Sequence, residues 1–139
     1  MSATSKVFLR ATVVWIVIIL AETVHGIARI QILEPSVGEF RARQMAVFSG
    51  AAIIFLVTRS LIRWIGANGP FALVAIGLFW MVLTIAFELL IGRFVFGFSW
   101  QRIAAEYDIT SGSLMPLGLV FLVFCPLLAS ISRKSSDPI

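Results

Sequence analysis

Charge is scarce in this sequence. Asp, Glu, Lys and Arg make up 13% of its 139 residues, against about 25% in a soluble domain. So few ionic groups do not cover a water-facing surface, and a soluble globular fold is excluded. Cysteine is rarer still. Cys125 stands alone, so neither an internal disulfide nor a thiol-ligated metal site can form. Its neighbours are apolar, and it reads as a small buried hydrophobe. Histidine also occurs once, as His25. A carboxylate-bridged di-iron bundle needs two Glu-x-x-His elements and two further glutamates, so that site is excluded within one chain. Runs of basic residues are absent. Lys and Arg sit singly or in pairs, and the net charge of +4 belongs with lipid headgroups and membrane topology rather than with nucleic acid. Neither an internal repeat nor a low-complexity segment occurs.

What the chain has in quantity is hydrocarbon. Hydrophobic residues make up 60% of it, and the mean hydropathy is +1.02. Four spans of roughly 20 residues use most of the length and leave no room for a soluble domain. The expected fold is all-α, an integral membrane four-helix transmembrane bundle forming one domain over 1–139. Its helices are expected over 6–33, 37–65, 70–93 and 113–132, with a short amphipathic surface helix over 99–108 between the third and fourth.

Lys6 and Arg10 open the first span. Arg10 and Arg29 lie about 28 Å apart along a helix, so they can snorkel to opposite interfaces. Pro35 restrains Glu34 from helical geometry and is expected to end the span. The basic start followed by apolar residues 11–21 also fits a signal peptide, but the helical pattern runs on through 27–33 without a small-x-small cleavage signal. Ser36 and Glu39 have the spacing of a capping box that would open the second span. Within that span Ala42, Ala46 and Gly50 form a stripe of small residues, read as a close packing face. Arg59, Arg63 and Trp64 mark its far interface. Gly66, Asn68, Gly69 and Pro70 spell a turn into the third span.

The third span is uncharged until Glu88, which shares a face with Thr84 and Gly92. Beyond it Trp100, Ile103 and Tyr107 recur at three and then four residues, with Arg102, Glu106 and Asp108 opposite. Ser99 can cap this segment, which is expected to lie on the membrane surface. In the fourth span Pro116 falls in the first turn and Pro126 inside, where a kink is expected. Arg133 and Lys134 close the span.

With four spans, both termini share a side with Lys6, Arg10, Arg59, Arg63, Arg133 and Lys134. Arg29, Arg41, Arg43, Arg93 and Arg102 fall on the other side. The excess of six to five is small, but the first helix often dominates and its start is basic with no acid nearby. Both termini are therefore expected to be cytoplasmic, in a bacterial plasma membrane. Asp137 is the one acid on the terminal side, and the other six fall toward the opposite side.

Those acids include the costly ones. Ionisable groups in hydrocarbon are rare and usually face a protein interior. Glu22, His25 and Arg29 share one helical face at spacings of three and four. Glu22 lies about 10 Å, and His25 about 6 Å, below Arg29, while Glu88 lies about 7 Å below Arg93. Glu22, His25 and Glu88 are thus expected at similar depth in the outer half. Arg41, Arg43 and Gln44 can reach the same layer, and Tyr107 and Asp108 can cover it. One-sided polarity points to an outward cup rather than a through-going channel.

Three uses of this layer are open. As structure, Glu22 would pair with Arg29 or Arg41, Glu88 with Arg93 or Arg43, and His25 with a carboxylate. As a binding site, the arginines suit an anionic ligand, while the acids and the histidine carry protons. As chemistry, His25 with Glu22 would act as acid and base on a lipid-soluble substrate. Glu22, His25 and Glu88 are also a weak candidate for one metal ion. The expected function is a transport-type component that binds a small ligand or proton at Glu22, His25, Arg29, Arg41, Arg43, Glu88, Arg93, Tyr107 and Asp108. The alternatives are a non-catalytic subunit or assembly factor of a membrane complex, and an intramembrane enzyme using Glu22 and His25. No cofactor is specified. The expected partners are the bilayer and either further copies of the chain or a membrane-complex subunit, with no nucleic acid.

Overall fold

Hydrocarbon offers no hydrogen-bonding partner, so an apolar chain satisfies its backbone inside helices. A computed structural model, which describes residues 2–136, has this form. The fold is an all-α four-helix bundle, with no strand among the described residues. Four runs are long and apolar enough to cross a membrane: Ala3–Val37, Glu39–Ile65, Pro70–Val95 and Met115–Lys134. Asp137 lies outside the described residues.

The first run is built from α1 (Ala3–Ala28), a π-helical turn (Arg29–Leu33) and α2 (Glu34–Val37). Pro35 does not end it. Proline removes one helical donor and crowds the carbonyl four residues back. The π turn widens the backbone just ahead of it, with the Glu34 N–H donating to Arg29 O, and Pro35 then occupies the first turn of α2. The break comes at Gly38, whose φ of 88° a side chain rarely tolerates. The capping box does not form either. Ser36 Oγ donates back to Ile32 O at 3.5 Å, and α3 (Glu39–Ile65) starts from Gly38 with no side-chain cap. Glu39 pairs instead with Arg43, one turn on, at 3.0 Å.

Gly66 and Gly69, at φ 78° and 89°, turn the chain into α4 (Pro70–Leu90), which ends in a second π turn (Ile91–Val95). Ser99 caps α5 (Trp100–Glu106), accepting from the Arg102 N–H at 3.1 Å. This helix docks on the bundle, with Ile103 6% exposed while Trp100 stays exposed. The last helix, α6 (Met115–Ser136), carries Pro126 inside it.

α1 packs on α3 and α4, and α6 packs on the same two. Consecutive helices α3 and α4 therefore occupy opposite corners, and residues 66–69 cross the end of the bundle diagonally. The half that holds the termini is filled by Val14, Ile62, Ile65, Leu73, Ile76 and Trp80. Buried Trp80 donates to Ala11 O at 2.9 Å, so its one polar atom is satisfied. α4 and α6 meet at Gly77, where a Cβ would lie 1.8 Å from Val123 O. The stripe of Ala42, Ala46 and Gly50 is buried, with Gly50 against Glu22 and His25 of α1. Cys125 is buried as well.

Candidate functional site

Two tryptophan bonds fix the level of α1 against α4. Trp80 bonds Ala11 O, and Trp15 Nε1 donates to Thr84 Oγ1 at 3.0 Å; both pairs are 69 residues apart. On this register Glu88 lies level with Ile19. Glu22 stands three residues further along, about 4.5 Å toward the distal side, away from the termini. The Trp15 ring meets Phe87 edge-on, with centroids 6.1 Å apart. Above this floor the bundle no longer closes.

The result is a cavity of about 690 Å³ in the distal half, bounded by all four spans and by α5. Ile18, Ile54, Phe87 and Leu122 are among its apolar walls. Glu22, His25, Thr84, Glu88, Gln44 and Tyr107 bring polar atoms to it, as do Arg29, Arg43, Arg102 and Glu106. Concave, mainly apolar sites with a few polar groups are the usual form of small-ligand sites.

The charges do not pair as the sequence leads one to expect. Arg29 Nε faces Glu34 at 3.7 Å, and Arg43 faces Glu39 at 3.0 Å and Glu106 at 3.7 Å. Arg93 donates to Phe98 O at 3.1 Å and lies over Trp100 at 5.2 Å. Among the described residues neither Glu22 nor Glu88 has a lysine or arginine partner. Glu22 Oε1 and Arg29 Nε are both buried without a hydrogen-bond partner. Glu88 Oε2 accepts from the Tyr107 hydroxyl at a long 3.4 Å. Burial, reinforced by the neighbouring Glu88 carboxylate, pushes the Tyr107 phenol well above its ordinary range and keeps it a neutral donor.

His25 joins Glu22 to α3. Its Nδ1 lies 3.7 Å from Glu22 Oε2, and its Nε2 shares a 2.7 Å hydrogen bond with Ser49 Oγ. Gly50 makes room for this line, since a Cβ there would fall 2.9 Å from Glu22 Oε2. Ser49 is exposed and is not part of the cavity wall.

Of the nine residues expected at the site, Glu22, His25, Arg29, Arg43, Glu88 and Tyr107 line the cavity. Arg41 is exposed outside it, Arg93 is held by Phe98 and Trp100, and Asp108 caps Thr110 at 3.0 Å. Glu106, Arg102 and Ser113 line it without having been expected. Only the docking of α5 brings the first two there, and the periodicity of 99–108 had set them on the opposite face from Tyr107. Thr84 was visible as the residue one turn before Glu88. Among the described residues no three His, Cys, Asp or Glu side chains gather closely enough to hold a metal ion. Glu22, His25 and Glu88 share a cavity but not a coordination sphere. No family model, curated protein or solved structure matches the chain.

Proposed function

We propose that this chain is a membrane-embedded binding protein of transport type, which takes a small ligand or a proton into its distal cavity. One observation carries the reading. Glu22 and Glu88, on different helices, open into one cavity without a lysine or arginine partner, while Arg43 is held by Glu39 and Glu106 and Arg29 faces Glu34. A buried carboxylate is costly until a proton or a cation completes it. The ligand that fits is thus a cation or a hydrogen-bond donor, rather than the anion that the arginines alone would favour. His25, 3.7 Å from Glu22 and hydrogen-bonded to Ser49, gives the cavity a second group that can take up a proton. On this reading the cavity opens to the exterior and both termini are cytoplasmic in a bacterial plasma membrane, as the basic start of the first span favours. Association with further copies or with a partner subunit fits, because four helices barely enclose a wet path.

Dicyclohexylcarbodiimide, which modifies protonated carboxyls in apolar surroundings, tests the reading. It is expected to label Glu22 and Glu88, and excess butylammonium is expected to protect both. Glu22→Gln and Glu88→Gln should accumulate in membranes and each lose its own label. Absence of label and of protection at both positions removes the reading, and variants that fail to accumulate assign the pair to structure instead.

One observation favours a second reading, an intramembrane enzyme. Ser49, His25 and Glu22 stand in the order nucleophile, base and orienting acid. Against it, Ser49 Oγ also lies 3.4 Å from Ala46 O, and the cavity wall does not include it. A fluorophosphonate probe that labels Ser49 in wild type and not in His25→Ala would establish this reading; no label eliminates it.

A further inference from the structure

Among the described residues two buried side-chain atoms lack a hydrogen-bond partner, Glu22 Oε1 and Arg29 Nε. One belongs to an acid and the other to a base, and both residues line the distal cavity. Their side chains are 28% and 26% exposed, so other atoms of each group stay open to a ligand. Seven residues are two helical turns, which puts both groups on one face of the first span, about 10 Å apart along its axis. That is too far for them to pair directly. Glu34 faces Arg29 Nε at 3.7 Å, beyond hydrogen-bond reach, and leaves the donor unfilled. The other arginines of the cavity wall have nearer or stacked partners: Arg43 has Glu39 at 3.0 Å, and Arg102 lies 3.9 Å over Phe98. Between Glu22 and Arg29 the same face carries Gly26, which also lines the cavity and where a Cβ would meet nothing within 4 Å. The face that joins the unfilled acceptor to the unfilled donor is therefore open at its middle.

We propose that the distal cavity takes a small organic zwitterion, with its ammonium at Glu22, its carboxylate at Arg29 and an apolar body along Gly26. This inference rests on the binding reading above and names its ligand class. Hydrogen bonds of about 2.9 Å at each end leave about 4 Å between the ligand's charged groups, the reach of a γ-amino acid rather than an α-amino acid. The body is apolar because it meets Ile18, Ile54, Phe87 and Leu122, and the cavity of about 690 Å³ has the size of a small-molecule site. A hard metal cation fits worse. It takes about six oxygens, and among the described residues no three His, Cys, Asp or Glu side chains gather to hold one. A ligand with both charges also removes two costs at once, since an unfilled donor and an unfilled acceptor are each unfavourable in an apolar site.

The test uses the full chain in phosphatidylcholine nanodiscs and 4-amino-3-phenylbutanoate, a γ-amino acid with an apolar body. Its methyl ester and its N-acetyl derivative, which each lack one charge, are the matched controls. Isothermal titration should show the zwitterion binding roughly tenfold more tightly than either control, the gain from one charge-assisted hydrogen bond. Arg29→Gln should remove the difference between zwitterion and ester. Gly26→Leu, which fills the face between the two groups with a good helix former, should weaken the zwitterion roughly tenfold as well, while the protein still unfolds cooperatively. Ester that binds wild type as tightly as the zwitterion, a comparison that needs no variant to fold, would overturn the inference. So would an Arg29→Gln variant that keeps the preference for the zwitterion. Failure of the underlying reading looks different, because butylammonium, which has no carboxylate, would then not protect Glu22 and Glu88 from dicyclohexylcarbodiimide.

Discussion

Two glycine-to-alanine changes place the same methyl group against two different obstacles. At Gly77 the new Cβ falls 1.8 Å from Val123 O, 2.5 Å from its carbonyl carbon and 2.8 Å from its Cα. All three are helix backbone and do not rotate away, so α4 and α6 must separate until the shortest contact exceeds 3 Å. A gap of about 0.5–1 Å already forfeits a quarter to a half of the dispersion well, and overpacking a close interface costs about 3 kcal/mol. The better helix propensity of alanine returns about 1 kcal/mol, which leaves a net loss of about 2 kcal/mol. At Gly50 the nearest atom is Glu22 Oε2, at 2.9 Å, with His25 Cε1 and Glu22 Oε1 at 3.5 Å. Glu22 is the far end of a flexible side chain beside a cavity and can swing into it, so Gly50→Ala should cost no more than about 1 kcal/mol. Unfolding of purified protein by SDS in mixed micelles, followed by tryptophan fluorescence, measures both. A Gly77→Ala variant within about 0.5 kcal/mol of wild type would refute the close approach of α4 and α6. A Gly50→Ala variant as costly as Gly77→Ala would refute the freedom of Glu22 to move.

The remaining predictions concern the floor and the rim of the cavity. Tyr107 is the chain's one tyrosine, so phenolate absorbance reports it alone. Its phenol is raised in the folded protein, and it should stay un-ionised at pH values near 10, where free tyrosine titrates; the stabilisation this represents is complete below that value and is lost as pH rises through the higher folded value. Phenolate that appears in native protein near pH 10 would contradict the buried contact with Glu88. A double-mutant cycle of Trp15→Phe with Thr84→Val should give a coupling of about 0.6–1.7 kcal/mol, the range of hydrogen bonds between membrane helices, and a coupling of zero would remove the register on which the depths of Glu22 and Glu88 depend.

That register marks where sequence reading succeeds and where it stops. The spans follow from composition and length, but the fixed rise of a helix gives only the half of the bundle that holds Glu22, His25 and Glu88: the observed register sets Glu88 level with Ile19, about 9 Å short of His25, an order that depends on packing. Pro35 and Ser36 misled because a local rule met a local alternative. A π turn absorbs the proline, and Gly38 makes the break that the proline and a capping box were expected to share. The partners of the charges were not legible, since they depend on which helices are neighbours. Nothing within the sequence of α3 and α4 says that these consecutive helices stand at opposite corners. Nor does the periodicity of residues 99–108 say that Ile103 will turn toward Gly92, with its Cδ1 3.7 Å from where a Cβ there would sit, and carry Glu106 to Arg43.

The way the arginines are engaged also has a physical order. Arg43 meets Glu39 one helical turn away, and Arg29 meets Glu34 across the π turn. Both partners are near in sequence and lie toward the interface, so pairing orders few side-chain torsions and keeps the guanidinium heads near water. Reaching down to Glu22 or Glu88 would require the same heads to leave water for an apolar cavity, and the gain from a buried pair does not reliably exceed that desolvation cost. Arg43 and Glu39, at 3.0 Å, form the closest of these pairs; Arg29–Glu34 and His25–Glu22 both lie at 3.7 Å, and Glu88 keeps only Tyr107 at 3.4 Å. Trp15, Thr84 and Trp80 already tie α1 to α4 below positions 22 and 88. Neither acid is needed for that packing and neither has a lysine or arginine partner, which is why we assign them to the proposed binding of a proton or a cation.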